Sequence, residues 1–289
     1  AVSAQPLSEA RKLERQARAL IDDDPLRVRE NYRTACELCE RATTLSPDDA
    51  DAWATYARAS CVLFADYNER GDKATAAARL RAERAIRLAP DSLEANLASA
   101  QYAIQVGGDE AGGERQLRSL LERAPNDRRI LRALARAAGE LVDRQPEKLA
   151  ESRQWAERAE ALPGGDTLAL TELGWGYWGL NRYQELDALL DRVLTRQPTS
   201  DAYHLKVMVL GAWGDMDGVL HWLEKVPPAV LSEDRVAAVA IEAYLSKRQP
   251  DKALALLARL PREFLEEGRY FSPKSYLAGL ALRMAGKPR

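Results

Sequence analysis

Apolar residues recur three and four positions apart along most of the chain, with charged residues filling the positions between them. Tyr32, Ala35, Cys39, Ala42 and Leu45 form one such stripe; Ala78, Ala82, Ala85 and Leu88 form another. That spacing lines one face of an α-helix and predicts amphipathic helices. Val, Ile and Thr are sparse and never run in alternation, so strands have little to be built from. Ala, Leu, Arg and Glu are abundant instead, and all four favour helix. The expected fold class is all-α.

Prolines divide the helical pattern. Pro47, Pro90, Pro125, Pro163, Pro198, Pro227 and Pro261 each follow an apolar helical segment, at spacings of 43, 35, 38, 35, 29 and 34 residues. Proline cannot continue a helix interior, so each marks the end of a unit. One long spacing contains residues 66–73, read as an extended turn between helices. Between the prolines, Leu173-Gly174-Trp175-Gly176-Tyr177 leads on to Tyr183, Leu186, Leu190 and Val193. Trp53, Tyr56 and Ala57 open an earlier unit, and further copies run through Leu134-Ala135 and Gly214-Asp215-Met216. Gly174, Ala57 and Ala135 are small enough for two helices to approach, while Tyr177 fills the space one turn away.

These segments, and a period near 34 residues, resemble the tetratricopeptide repeat (TPR) family. The resemblance implies a right-handed superhelical solenoid of antiparallel helix pairs. Residues 1–289 are expected to form a single solenoid of about seven units, because one unit cannot bury its apolar face alone. The units ending at Pro227 and Pro261 have short second helices, at 219–226 and 253–260. Residues 276–284 form a terminal helix with no second helix after it, which predicts that the natural protein continues past residue 289 or covers this face.

Charge counts against one class of function, though a local basic stripe stays open. The net charge of −2 and pI near 5.9 give no overall basic field for nucleic acid. Residues 236–245, the best apolar stretch, reach about half a membrane span and include Glu242. The first residues lack a signal-peptide pattern and an initiator Met, which suggests a processed product or a fragment. Three cysteines point to a reducing, cytoplasmic setting.

Catalytic motifs are weak. His204 and His221 lie outside any metal or catalytic pattern. Cys36-x-x-Cys39 falls within a helix, where Cys39 takes a packing position. Gly107-Gly108-Asp109-Glu110, with Gly112-Gly113, reads as a flexible turn between helices. No catalytic residue, metal or cofactor is expected.

One constellation remains. Arg129, Arg132 and Arg136 share a helix face opposite Leu131, Leu134, Ala135 and Ala138. Leu168, Thr171, Trp175 and Trp178 share the equivalent face of the next unit. In proteins of the resembled class, the non-packing face of each first helix looks into the concave groove. Arg129, Arg132, Arg136, Trp175 and Trp178 are therefore the expected partner-binding residues. The expected partner is a protein or peptide with acidic residues and an aromatic or large aliphatic anchor, with no nucleic acid. The competing reading has the arginines merely solvating a helix and the tryptophans filling space between units. The repeats also resemble the C-terminal arrays of bacterial signalling proteins, which implies a regulatory module. The alternatives weighed are an RNA-binding helical repeat and an enzyme on a solenoid frame.

Overall fold

Ser8, Asp49, Ser92, Asp109, Asp127, Thr199 and Asp215 each accept a hydrogen bond from a backbone N–H of the turn that follows. Each opens a helix, since the first N–H groups of a helix have no partner within it. The computed structural model describes residues 7–24, 26–267 and 270–287. It divides into two units, Ala1–Leu173 and Gly174–Arg289.

The first unit contains α1 (Glu9–Asp22), α2 (Arg29–Leu45), α3 (Ala50–Ala65), α4 (Asp72–Leu88), α5 (Leu93–Tyr102), α6 (Glu110–Arg123), α7 (Arg128–Gly139), α8 (Lys148–Glu160) and the start of α9 (Thr167–Gly179). From α1 to α8, successive helices pack as neighbours, and α3 also packs on α5. Ala54 and Ala57 of α3 meet Ala82 and Ala85 of α4 and Ala95 and Ala98 of α5. These small side chains let three helices approach closely. A second cluster sets Tyr32, Ala35 and Cys39 of α2 against Ala17 and Ile21 of α1 and Tyr56 and Val62 of α3.

A π-helical turn, Ala103–Gly107, closes α5, and Gly108 then takes the left-handed region at φ 72°. Gly112 and Gly113 were expected in the turn; they lie instead in the first turn of α6, capped by Asp109. Gly113 is there for proximity. A β-carbon on it would sit 2.6 Å from Ile104 Cγ1 and 2.8 Å from the Ala100 carbonyl oxygen. The backbone oxygen cannot simply swing away. Gly113→Ala is expected to lower stability by about 1–3 kcal/mol as an overpacking change. Urea denaturation checks it, and an unchanged midpoint would contradict this packing.

The second unit contains the end of α9, α10 (Tyr183–Arg196), α11 (Ser200–Ala212), α12 (Met216–Leu223), a short α13 (Pro228–Leu231), α14 (Asp234–Ser246), α15 (Pro250–Arg259) and α16 (Lys274–Met284). All seven dividing prolines follow the second helix of a pair, namely α2, α4, α6, α8, α10, α12 and α15. One segment departs from the helical expectation. Strand β1 (Phe264–Glu267) pairs antiparallel with β2 (Tyr270–Pro273), and Leu265 is buried where β1 meets α14. Helix α16 packs on α15 and leaves Tyr276 and Met284 exposed.

Candidate functional site

In the first unit, the faces of α1, α3, α5 and α7 are joined by charge. On α1, Glu14, Arg18 and Asp22 lie four residues apart and so share a face. Glu14 accepts hydrogen bonds from Arg18 on its own helix and from Thr55 Oγ1 on α3 at 3.1 Å. Arg18 reaches Glu94 on α5 at 3.7 Å. Asp22 accepts from Arg58 on α3 at 3.1 Å and from Arg132 on α7 at 3.4 Å, and lies 3.8 Å from Arg129. Glu94 also accepts from Arg129 at 2.7 Å. The α7 strip thus meets α1, 110 residues away in sequence.

The three predicted α7 arginines do share one strip, but carboxylates already engage them. Arg129 is held by Asp127 and Glu94, each at 2.7 Å. Arg136 donates to Asp66 at 2.9 Å and to Glu140 at 2.7 Å. Burial opposes both charges, yet the surrounding carboxylates outweigh it and raise both pKa values. Arg132 differs: burial lowers its pKa, the nearby Arg27 charge lowers it further, and Asp166 and Asp22 do not make up the deficit. Burial alone would raise the Asp22 pKa, but Arg58, Arg132 and Arg129 together hold it well below the usual carboxylate range.

Arg58, Arg132 and Arg136 of this network border a cavity of about 30 Å³. Arg27, Arg58, Arg132 and Arg136 line it with Gln105, while Glu172 is the one carboxylate in the lining. A broader depression of about 660 Å³ opens beside α1 and the start of α7, with Arg15, Arg18, Asp23 and Arg128 among its walls. It carries both signs of charge.

The predicted tryptophans belong to the second unit. Trp175 is half-buried, its ring 5.8 Å from that of His204 on α11. Trp178 is half-buried and meets Tyr183 of α10 at 5.1 Å. Each indole therefore packs on a different helix and keeps part of its surface open. His204 Nδ1 is buried with no hydrogen-bond partner, and burial followed by the Arg235 charge lowers the ring's pKa well below normal. The imidazole is accordingly neutral near pH 7.

Asp22, Arg27, Arg58, Asp66 and Glu94 join the charged site but were not singled out in the sequence. The four-residue spacing of Glu14, Arg18 and Asp22 was a signal, though it equally describes a solvated helix. The three thiols are free, and burial pushes Cys36 up to about 11 and Cys61 up to about 12, so neither is a ready nucleophile at neutral pH. Among the described residues, no group of three or more His, Cys, Asp or Glu side chains is placed to hold a metal ion. No described helix is long and apolar enough to cross a membrane.

Helix pairs closed by proline and packed through small side chains make this chain a helical repeat protein. Its fold is that of the tetratricopeptide repeat proteins. The chain is similar to PilW, described as a widely conserved type IV pilus biogenesis factor, at 15% identity and a TM-score of 0.51. That match covers 81% of this chain and 100% of PilW. Human IFIT1 in a dimer with PPP-AAAA matches at 16% identity and a TM-score of 0.56, over 96% of this chain and 69% of that one. A monomeric IFIT1 mutant with m7Gppp-AAAA gives 14% identity and a TM-score of 0.61, over 86% of this chain and 58% of that one. At such identities the likeness is one of fold. No protein-family model and no curated protein matches the sequence.

Proposed function

We propose that the chain is a non-catalytic interaction scaffold that holds an acidic protein segment carrying an aromatic or large aliphatic anchor. The observation that carries this reading is the arginine-lined cavity of the first unit, with four guanidiniums and one carboxylate in its wall. Guanidinium offers a planar fork of donors that matches a carboxylate. In the second unit, the open surfaces of Trp175 and Trp178 supply rigid apolar area with little rotamer entropy to lose. The two sets of residues lie in different units, and mutation separates their contributions. A regulatory module of a larger bacterial signalling protein, working in the cytoplasm, is the setting proposed for it. The basis is the likeness of its repeats to those arrays.

The test is calorimetric titration of peptides that combine Glu or Asp with one Trp, Phe or Leu. Lysine-rich versions and the single-stranded RNA AAAA with a 5′-triphosphate serve as the other arms. Acidic peptides are expected to bind, more weakly as salt rises. Trp175→Ala should weaken them by about 2 kcal/mol or more, the scale of an interface hot spot. Its far-ultraviolet circular dichroism should stay that of the parent. Binding of the RNA alone, with no acidic peptide retained, would replace this reading with the nucleic-acid one.

A further inference from the structure

Helix α16 has two apolar faces, and only one of them is covered. Leu277 and Ala281 are buried, and the helix packs on α15. Tyr276 and Met284 keep 55% and 47% of their surface open, and Leu280 between them is half-buried. Tyr276, Leu280 and Met284 stand four residues apart and form one ridge, about 12 Å long at 1.5 Å per residue. Arg283 follows Tyr276 by seven residues, about two helical turns, and so borders the same ridge.

The ridge is balanced about its middle and opposite in charge at its ends. Leu280 is the midpoint, with Tyr276 one turn before it and Met284 one turn after. Glu263 is fixed at the Tyr276 end, because its carbonyl oxygen accepts from the Lys274 N–H at 2.9 Å. Arg283 stands at the Met284 end. Both side chains are exposed, and neither has an ion pair or hydrogen bond among the described residues.

We infer that this ridge is a surface for a second copy of the chain, whose own α16 packs antiparallel on it about a two-fold axis at Leu280. A two-fold contact uses the same patch on both partners, so it must be complementary to itself. This one is. The two Leu280 side chains meet on the axis, and Tyr276 of each copy meets Met284 of the other, a favourable contact of thioether and ring. Glu263 of each copy approaches Arg283 of the other, whereas parallel helices would set like charges together. Other occupants fit less well. Anionic lipid or an acidic helix would suit Arg283 but repel Glu263, and three apolar side chains are few to hold a helix on a membrane. A face this small falls short of the roughly 800 Å² per partner of a standard interface, so the dimer forms reversibly at high concentration.

Sedimentation equilibrium of the full chain, from low micromolar to near-millimolar concentration, tests this. The mean mass is expected to rise from the 32.1 kDa of one chain towards twice that and to stop there. Tyr276→Glu and Met284→Glu should each stay at one chain throughout, with the circular dichroism and Tm of the parent, since both side chains are exposed. Glu263→Arg and Arg283→Glu should each raise the dimer Kd about tenfold, and the two together should bring it back near the parent value. A parent that stays at one chain at every concentration, or grows past two, overturns the dimer. A dimer that survives Tyr276→Glu and Met284→Glu overturns the ridge as its surface, and a double charge reversal no better than the single ones overturns the antiparallel pairing. Anionic phospholipid vesicles and a leucine-rich helical peptide flanked by Glu are parallel arms. If the parent stays single while one of these binds it and spares Tyr276→Glu, that occupant replaces the second copy. The ridge shares no residue with the proposed acidic-segment site, so either reading can fail without the other.

Discussion

Asp22→Asn is expected to destabilise the protein by about 3–5 kcal/mol at pH 7, the usual effect of removing one partner from a buried ion pair. The side chain of Asp22 is 10% exposed and receives Arg58 and Arg132, with Arg129 close by. Without its charge, Arg58 and Arg132 lose the carboxylate they share, and α1 loses its shortest ion pair to α7. A loss of that size is a large fraction of the roughly 5–15 kcal/mol that holds a typical domain together. Asp23 is the control. It is 65% exposed, and its one ion pair among the described residues, to Arg128, is 3.8 Å long. Asp23→Asn should stay within about 0.5 kcal/mol of the parent. The pH dependence follows from the direction of the shift. A carboxylate whose folded pKa lies below its unfolded value of about 3.9 stabilises the fold above that pH, and the contribution is lost as pH falls further. The parent should therefore lose stability below about pH 4, and Asp22→Asn should lose less over the same range. Urea melts at pH 7 and pH 3 measure both effects. Equal losses for the Asp22 and Asp23 variants would rule out the network as a stabilising hub.

The contrast between these neighbouring aspartates marks where sequence reading stopped. Prolines and small residues act locally: proline ends the helix that carries it, and alanine permits contact wherever its helix runs. Both were visible, and the helix pairs follow them. The Asp22 network joins residues 36 and 110 positions apart, and Asp66 reaches Arg136 across 70. Each of those helices, taken alone, shows only the charged face that any solvated helix shows. Arg132, Arg129 and Arg136 have the same type and spacing, yet only Arg132 has its pKa lowered, and that depends on carboxylates supplied by other helices. The hairpin was missed for a related reason. Its strands are four residues each, too short for alternation to register, and Leu265 gains its burial from α14. The unit boundary falls between Leu173 and Gly174, inside α9. A continuous helix carries no linker composition, so nothing in the sequence announced it.

That same Gly174 sets up the second large effect, in the core of the second unit. Leu205 on α11 is fully buried, and Leu205→Ala should cost about 2–5 kcal/mol through lost transfer energy and the cavity left behind. Relaxation cannot easily close the cavity, because the wall opposite has no side chain to move in. A β-carbon on Gly174 would lie 3.1 Å from Leu205 Cδ1 and 3.3 Å from Leu186 Cδ1. In the parent, Gly174→Ala sets a helix-propensity gain of about 1 kcal/mol against those tight contacts, and the net change should be small. In the Leu205→Ala background the tighter contact is gone and the added methyl occupies part of the void. Gly174→Ala should then recover about 1 kcal/mol, so the two substitutions couple favourably. Urea denaturation of the four proteins in the cycle measures the coupling. Additivity within about 0.5 kcal/mol would mean that Gly174 and Leu205 do not share this space, and that the glycine is kept for some reason other than close helix approach.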